Sequence, residues 1–93
     1  MRVITMRGSI DRDSLPPLEN ALRAAADRYL VTIVDADQVS FGDSSLLNLL
    51  ITMHRETTLR IAAPSPPLQR LFALTGVDQV FHLYPTVRDA LTG

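Results

Sequence analysis

The 93-residue sequence contains no cysteine, no tryptophan and no lysine, and it has only four glycines. Without cysteine the chain has neither a disulfide framework nor a thiolate metal site, so a cytoplasmic location is the simplest expectation. Neither standard glycine-rich phosphate-binding pattern is present, so nucleotide binding of that kind is not expected. The chain also lacks an apolar run of about 18 residues and a basic leader followed by an apolar core, so neither membrane insertion nor secretion is predicted.

The charge of the chain is nearly balanced. Nine basic residues, all of them arginine, stand against ten acidic residues, and the formal net charge is −1. A domain that neutralises the phosphates of nucleic acid needs a basic excess, so a nucleic-acid partner is not expected. With 46% apolar and 20% charged residues, the composition is typical of one small globular domain.

Strand-like and helix-like stretches alternate along the sequence. Four short runs predict strands: "VITM", which is expected to end at Gly8, then "YLVTIVDA", "TLRIAAP" and "VFHLY". A helical pattern follows each run, and the predicted N-caps are Ser14, Asp43, Ser65 and Thr86. This alternation predicts a single α/β domain, residues 1–93, with a mainly parallel (or mixed) sheet of about four strands and alternating helices.

The stretch "FGDSSLL", residues 41–47, places an acid and two serines directly before a leucine stripe. The stripe continues at helical spacing and predicts an amphipathic helix from Ser44 to about Arg55, with Asp43 as its N-cap. Helix capping alone would explain the Asp-Ser-Ser sequence. A second interpretation is chemical, because a hydroxyl at the positive end of a helix is suited to carrying a phosphate.

The helical wheel distinguishes the two serines. At roughly 100° per residue, Ser45 lies between Thr52 and Glu56, whereas Ser44 lies between an isoleucine and an arginine. Ser45 is therefore predicted to have the wetter surroundings of the two.

Other residues carry little chemistry. The two histidines, His54 and His82, stand far apart in sequence with no acid at a metal-ligand spacing, so neither a metal site nor a cofactor site is predicted. The aromatic residues Phe72, Phe81 and Tyr84 are predicted to lie in the core or at its edge.

A four-residue match to a hydrolase motif suggests a second class of function, an enzyme. The sequence from Phe41 to Ser44 resembles the nucleophile block of the lipases named for a Gly-Asp-Ser-Leu motif. However, Ser45 follows where those lipases have leucine, and no Asp-x-x-His pair occurs near the C-terminus. No catalytic residue is therefore predicted, and the chain is not expected to be an enzyme.

Two long segments, "VTIVDADQVSFGDSSLLNLL" and "LQRLFALTGVDQVFHLYPTVRDAL", resemble the STAS domain of bacterial anti-sigma factor antagonists. The resemblance covers residues 3–91. In that family the second serine of the pair is phosphorylated by a partner anti-sigma factor with serine kinase activity. The unphosphorylated antagonist binds this kinase and frees a sigma factor. Phosphorylation releases the antagonist from the kinase, and a separate serine phosphatase restores the unphosphorylated form. The resemblance implies phosphorylation of Ser45, with Ser44 as second choice.

The resemblance also implies a partner-binding surface, and the sequence departs from the family at one position close to it. The surface comprises Asp43, Ser44, Ser45, Asn48 and Thr52. The family usually has glycine where this chain has Leu46, and a leucine there is expected either to narrow access for a kinase or to change the start of the helix.

Two further expectations concern the edge of the sheet and an alternative function. Family members usually have an additional strand ahead of the one at Val3, so one sheet edge is expected to be open or completed by another chain, as in a homodimer. Small STAS domains also resemble the cytoplasmic subunit of phospholipid-transporting ABC complexes. There the domain braces an ATPase and carries no phosphorylation cycle.

Overall fold

The computed structural model describes residues 1–93, which form four strands and four α-helices. In chain order these are β1 (Arg2–Ile10), α1 (Leu15–Arg28), β2 (Val31–Gly42), α2 (Ser44–Glu56), β3 (Thr58–Ala62), α3 (Pro66–Thr75), β4 (His82–Tyr84) and α4 (Val87–Thr92). The sheet order is β1-β2-β3-β4 and every neighbouring pair is parallel. The predicted alternating α/β fold is confirmed, and the sheet is wholly parallel. No helix has the length and apolarity needed to cross a membrane.

The helices are divided unequally between the two faces of the sheet. Leu22 of α1, Leu50 of α2 and Phe72 of α3 belong to one large core cluster on the first face. On the opposite face, Ala90 of α4 packs in a smaller cluster with Ile33 of β2. Strand β2 is therefore covered on both faces, as its unbroken apolar run predicts.

All four strands differ in length from their predicted runs. Strand β2 begins at Val31 and continues past the predicted end at Ala36 to Gly42, and β3 ends at Ala62, before the predicted Pro64. The prediction that β1 ends at Gly8 is wrong, because β1 continues to Ile10. Gly8 adopts φ 72, and the pairing with β2 shifts register on both sides of it, so the strand passes through an irregularity. The run "VFHLY" contributes only three residues to β4, because a 3₁₀ turn occupies Val77–Gln79 and Phe81 turns into the core.

The predicted N-caps behave differently from one another. Thr86 caps α4, where its Oγ1 accepts a hydrogen bond from the N–H of Asp89 at 3.1 Å. Ser14 and Ser65 occupy the N-cap positions of α1 and α3, but neither side chain makes a capping bond. The Ser14 hydroxyl instead donates to the carboxylate of Asp11 at 3.1 Å within the preceding turn.

Candidate functional site

Asp43 fixes the start of α2 at the carboxyl end of β2. Its extended backbone, with φ −110 and ψ −170, turns the chain from the strand into the helix. One carboxylate oxygen, Oδ1, accepts hydrogen bonds from the N–H of Ser45 at 2.9 Å and of Leu46 at 3.3 Å. These are two of the N–H groups that a helix start leaves without partners. Helix capping therefore accounts for Asp43, and the serine hydroxyls are not needed for it.

The two serines differ in exposure, and the prediction about them is wrong in this respect. Ser44 is exposed, whereas Ser45 is only partly exposed. The difference arises because α1 packs beside α2 and covers part of the side on which Ser45 lies. Its neighbours there are nevertheless polar, in agreement with the helical wheel.

Ser45 lies in an open groove of about 260 Å³ between α1 and α2, called here the α1–α2 groove. The α2 wall carries Ser45, Asn48 and Thr52 together with Leu49. The opposite wall carries Arg12, Leu15, Glu19 and Arg23. Three of the five residues of the implied partner-binding surface thus share one groove, while Asp43 and Ser44 lie outside it at the start of the helix.

All the charged side chains that line the α1–α2 groove lie on its α1 wall. Arg23 donates hydrogen bonds to the carboxylates of Glu19 at 3.0 Å and Glu56 at 2.9 Å, which links α1 to the last residue of α2. The hydrogen bond to Glu19, which has the larger effect, and the hydrogen bond to Glu56 hold the pKa of the Arg23 guanidinium above its usual range. Both salt bridges of the chain use Arg23, so the exposed Arg12 takes part in neither of them.

Sequence reasoning missed the whole α1 wall of this groove. The i, i+4 spacing of Glu19 and Arg23 is a readable signal for a pair within one helix. Nothing in the sequence connects Arg12 with Ser45, because their proximity depends on how α1 packs against α2.

Leu46 does not narrow access to Ser45 in the way its replacement of a family glycine suggested. Its side chain is fully buried in the large core cluster and does not line the α1–α2 groove. The helix also begins regularly at Ser44. The groove stays open beside Ser45.

The histidines and aromatic residues lie outside the α1–α2 groove. The rings of His54 and His82 are 5.4 Å apart although the residues are distant in sequence, and His54 also meets the ring of Phe81 edge-on. No group of three or more metal-ligating side chains of His, Cys, Asp or Glu occurs in the chain. The predicted burial is confirmed for Phe72 and Phe81, and Tyr84 is partly buried.

Comparison with known proteins places the chain in a family. A family model described as "Mlab, STAS domain" matches residues 2–86. An anti-sigma factor antagonist from Mycobacterium paratuberculosis, known from a crystal structure, is 34% identical with a TM-score of 0.84, and the match covers 97% of this chain and 81% of that one. The anti-sigma-F factor antagonist RsfB of Mycobacterium tuberculosis is 29% identical over 98% of this chain and 79% of its own length.

A more distant structural relative shares the fold. SpoIIAA in its unphosphorylated form is 22% identical, with a TM-score of 0.79 over 96% of this chain and 83% of that one. Because the family model matches residues 2–86 and the Mycobacterium paratuberculosis protein is 34% identical over most of both chains, the chain belongs to the STAS domain family of anti-sigma factor antagonists.

Proposed function

We propose that this chain is an anti-sigma factor antagonist that works in the cytoplasm and binds an anti-sigma factor with serine kinase activity. Binding frees a sigma factor, phosphorylation of Ser45 by the bound kinase ends the contact, and a serine phosphatase restores it. The observation that carries the proposal is the position of Ser45 in an open groove beside a helix start that Asp43 already caps. Its hydroxyl is therefore available for chemistry.

A phosphate on Ser45 is compatible with the fold. It adds a charge of about −1.5 to −2, and it would sit at the positive end of the α2 dipole. That position stabilises a negative charge by about 0.3 to 1 kcal/mol, less the repulsion from the nearby Asp43 carboxylate. The modified chain is expected to keep its architecture.

The same phosphate is unfavourable in an interface. A partner seated on the start of α2 would have to exclude water from a dianion that stands close to the Asp43 carboxylate. Desolvation of an unpaired charge costs several kcal/mol, and each 1.4 kcal/mol lowers affinity tenfold. Phosphorylation of Ser45 therefore switches a contact and leaves the conformation unchanged.

The choice between the serines rests on their surroundings. Ser44 is the more exposed residue and the easier one to reach. Ser45 shares a groove with Asn48 and Thr52, so a kinase that reads the polar face of α2 would meet Ser45 together with these two side chains. The family resemblance supports the same residue.

Phosphate incorporation tests the proposal directly. The purified chain is mixed with ATP and the anti-sigma kinase encoded nearest to it, and labelling is measured for the wild type, Ser45→Ala and the matched control Ser44→Ala. We expect labelling of the wild type and Ser44→Ala, and none of Ser45→Ala. Labelling lost only in Ser44→Ala would move the site by one residue, and an unlabelled wild type would contradict the switch.

The alternative function, a scaffold subunit of a phospholipid-transport ABC complex, requires no modified serine. The named relatives at 34% and 29% identity, both anti-sigma factor antagonists, favour the antagonist. Copurification of the chain with a membrane ABC ATPase, together with absence of labelling, would favour the scaffold.

A further inference from the structure

We propose that Arg12 is a receptor within the same chain for the phosphate on Ser45, so that the modified serine is held across the α1–α2 groove. The proposal deepens the proposed function, since it concerns the state of the same site after modification. It makes Arg12 a positioning residue of the switch.

The topology brings Arg12 and Ser45 together. Strands β1 and β2 are parallel neighbours, and Ile10 near the end of β1 pairs with Gly42 at the end of β2. Paired residues of neighbouring strands are about 5 Å apart. Arg12 follows Ile10 closely and Ser45 follows Gly42 closely, and both side chains line the α1–α2 groove.

Arg12 is the available cation of this groove. It is exposed and takes part in neither of the two salt bridges. A guanidinium presents paired N–H donors that match phosphate oxygens in a bidentate arrangement, and a phosphate offers three strong acceptor oxygens. The Ser45 phosphate and the Arg12 side chain are therefore chemically complementary groups that line one groove.

Arg23 contributes indirectly. Its guanidinium hydrogen-bonds to the carboxylate of Glu56, the last residue of α2, and the helix rises about 16 Å from Ser45 to Glu56. It also holds the carboxylate of Glu19, which lines the α1–α2 groove and would otherwise attract Arg12 or repel the phosphate. Arg23 thus forms an ion pair with Glu19, the one acidic residue that lines the groove.

Capture of the phosphate has a consequence for docking. In the unmodified chain the Arg12 guanidinium is free on the surface next to Ser45, where a partner can use it. In the modified chain the phosphate occupies that guanidinium and ties the turn before α1 to the start of α2. Phosphorylation then removes a cation from the docking surface as well as adding an anion to it.

The test measures the second pKa of the phosphate. Phosphoserine is placed at position 45 by genetic encoding, so no kinase is required, and the ³¹P chemical shift is followed against pH in the full chain. The charged residues that line the groove are Arg12, Glu19 and Arg23. Asp11, Asp13 and Asp43 lie within two residues of Arg12 or Ser45 in the sequence and also act on the titration. Because several of these are acids, the informative quantity is the difference between variants.

Removal of the guanidinium is expected to raise this pKa. Arg12 favours the dianion, so Arg12→Gln should raise the second pKa of the phosphate by about half a unit or more relative to the unsubstituted phosphoprotein. Arg28→Gln is the matched control, because it removes the same charge from the other end of α1, where Arg28 lines a different groove. Arg12→Lys keeps the charge without the paired donors, so it should retain part of the lowering but not all of it.

Equal titration curves for Arg12→Gln and Arg28→Gln would overturn the proposal. So would a difference that Arg12→Lys fails to reduce, because that would indicate a structural effect of the substitution. Failure here is distinct from failure of the proposed function. The titration uses an encoded phosphoserine, whereas the proposed function fails when the kinase does not label Ser45.

Discussion

The Cα of Gly42 and the side chain of Leu46 pack so closely that no side chain fits between them. A Cβ on Gly42 would stand 2.7 Å from Cδ2 of Leu46 and 3.0 Å from Cδ2 of Leu68. The end of β2, the start of α2 and the start of α3 therefore meet at a residue without a side chain. Asp43 and the two serines follow directly from this contact in the chain.

Gly42→Ala is expected to lower the free energy of unfolding by about 1 to 3 kcal/mol, the usual cost of overpacking a core. Leu46 and Leu68 are both fully buried, so neither methyl can move aside freely. Urea denaturation of the single and double variants with Leu46→Val measures the effect. The double variant should lose less free energy of unfolding than the two single variants lose together, because the shorter valine side chain leaves room for the new Cβ. Strictly additive costs would show that the methyl of Leu46 is not the obstacle.

Asp43→Ala is expected to lower the free energy of unfolding by about 0.5 to 2 kcal/mol, because it removes the acceptor for two N–H groups of α2. Asp43→Asn is the matched control, since its amide oxygen can accept the same bonds without the charge. In urea denaturation, the free energy of unfolding of Asp43→Asn should therefore be close to that of the wild type, and that of Asp43→Ala should be clearly lower. Equal losses in both would assign the effect to charge.

Local features of the site are readable from the sequence, and contacts between elements are not. Asp43 can be recognised as a cap because it bonds only to residues two and three positions ahead. The wheel also gives the polar neighbours of Ser45 within α2. A helical wheel could not predict the partial burial of Ser45, because it describes a single helix and the covering residues belong to α1.

The longer-range relationships depend on topology. The bond from Arg23 to Glu56 joins residues 33 positions apart, and no periodicity within either helix predicts it. The alternation of strands and helices predicted a mainly parallel or mixed sheet, because short links between alternating elements leave few other arrangements, but it did not predict the pairing order. The continuation of β1 past Gly8 was missed, since glycine with φ 72 breaks a strand pattern in sequence while the pairing with β2 carries on.

The stability of the chain should depend on Asp11 in acid. Hydrogen bonds from the backbone and hydroxyl of Ser14 lower the pKa of the Asp11 carboxyl below its ordinary value of 3.8. A lowered pKa in the folded chain means that the stabilisation is present above about pH 3.8 and is lost as the pH falls further. Urea denaturation should show that the free energy of unfolding falls less for Asp11→Asn than for the wild type between about pH 5 and about pH 3. Parallel losses would exclude Asp11 as a contributor.

Arg60 holds α4 on the face of the sheet opposite to the α1–α2 groove. Its guanidinium donates to the carbonyl oxygen of Ala90 at 2.6 Å and lies 5.7 Å from the centre of the Tyr84 ring. Arg60→Gln should lower the free energy of unfolding by about 0.5 to 1.5 kcal/mol. Its affinity for the anti-sigma factor, measured by calorimetric titration, should equal that of the wild type. A weaker complex would mean that the partner also contacts the α4 face.

Ser45→Asp should separate folding from binding. A carboxylate in the first turn of α2 favours the helix by about 0.3 to 1 kcal/mol, so urea denaturation should find the variant about as stable as the wild type. Its affinity for the anti-sigma factor in a calorimetric titration should fall, because a charge beside Asp43 would be desolvated in the complex. Ser45→Asn is the matched control, since it has nearly the same size without the charge and should bind more tightly than Ser45→Asp. Aspartate carries less charge than a phosphate, so its loss of affinity sets a lower limit for the natural switch. Equal affinities of Ser45→Asp and the wild type would count against a charge-operated contact at this residue.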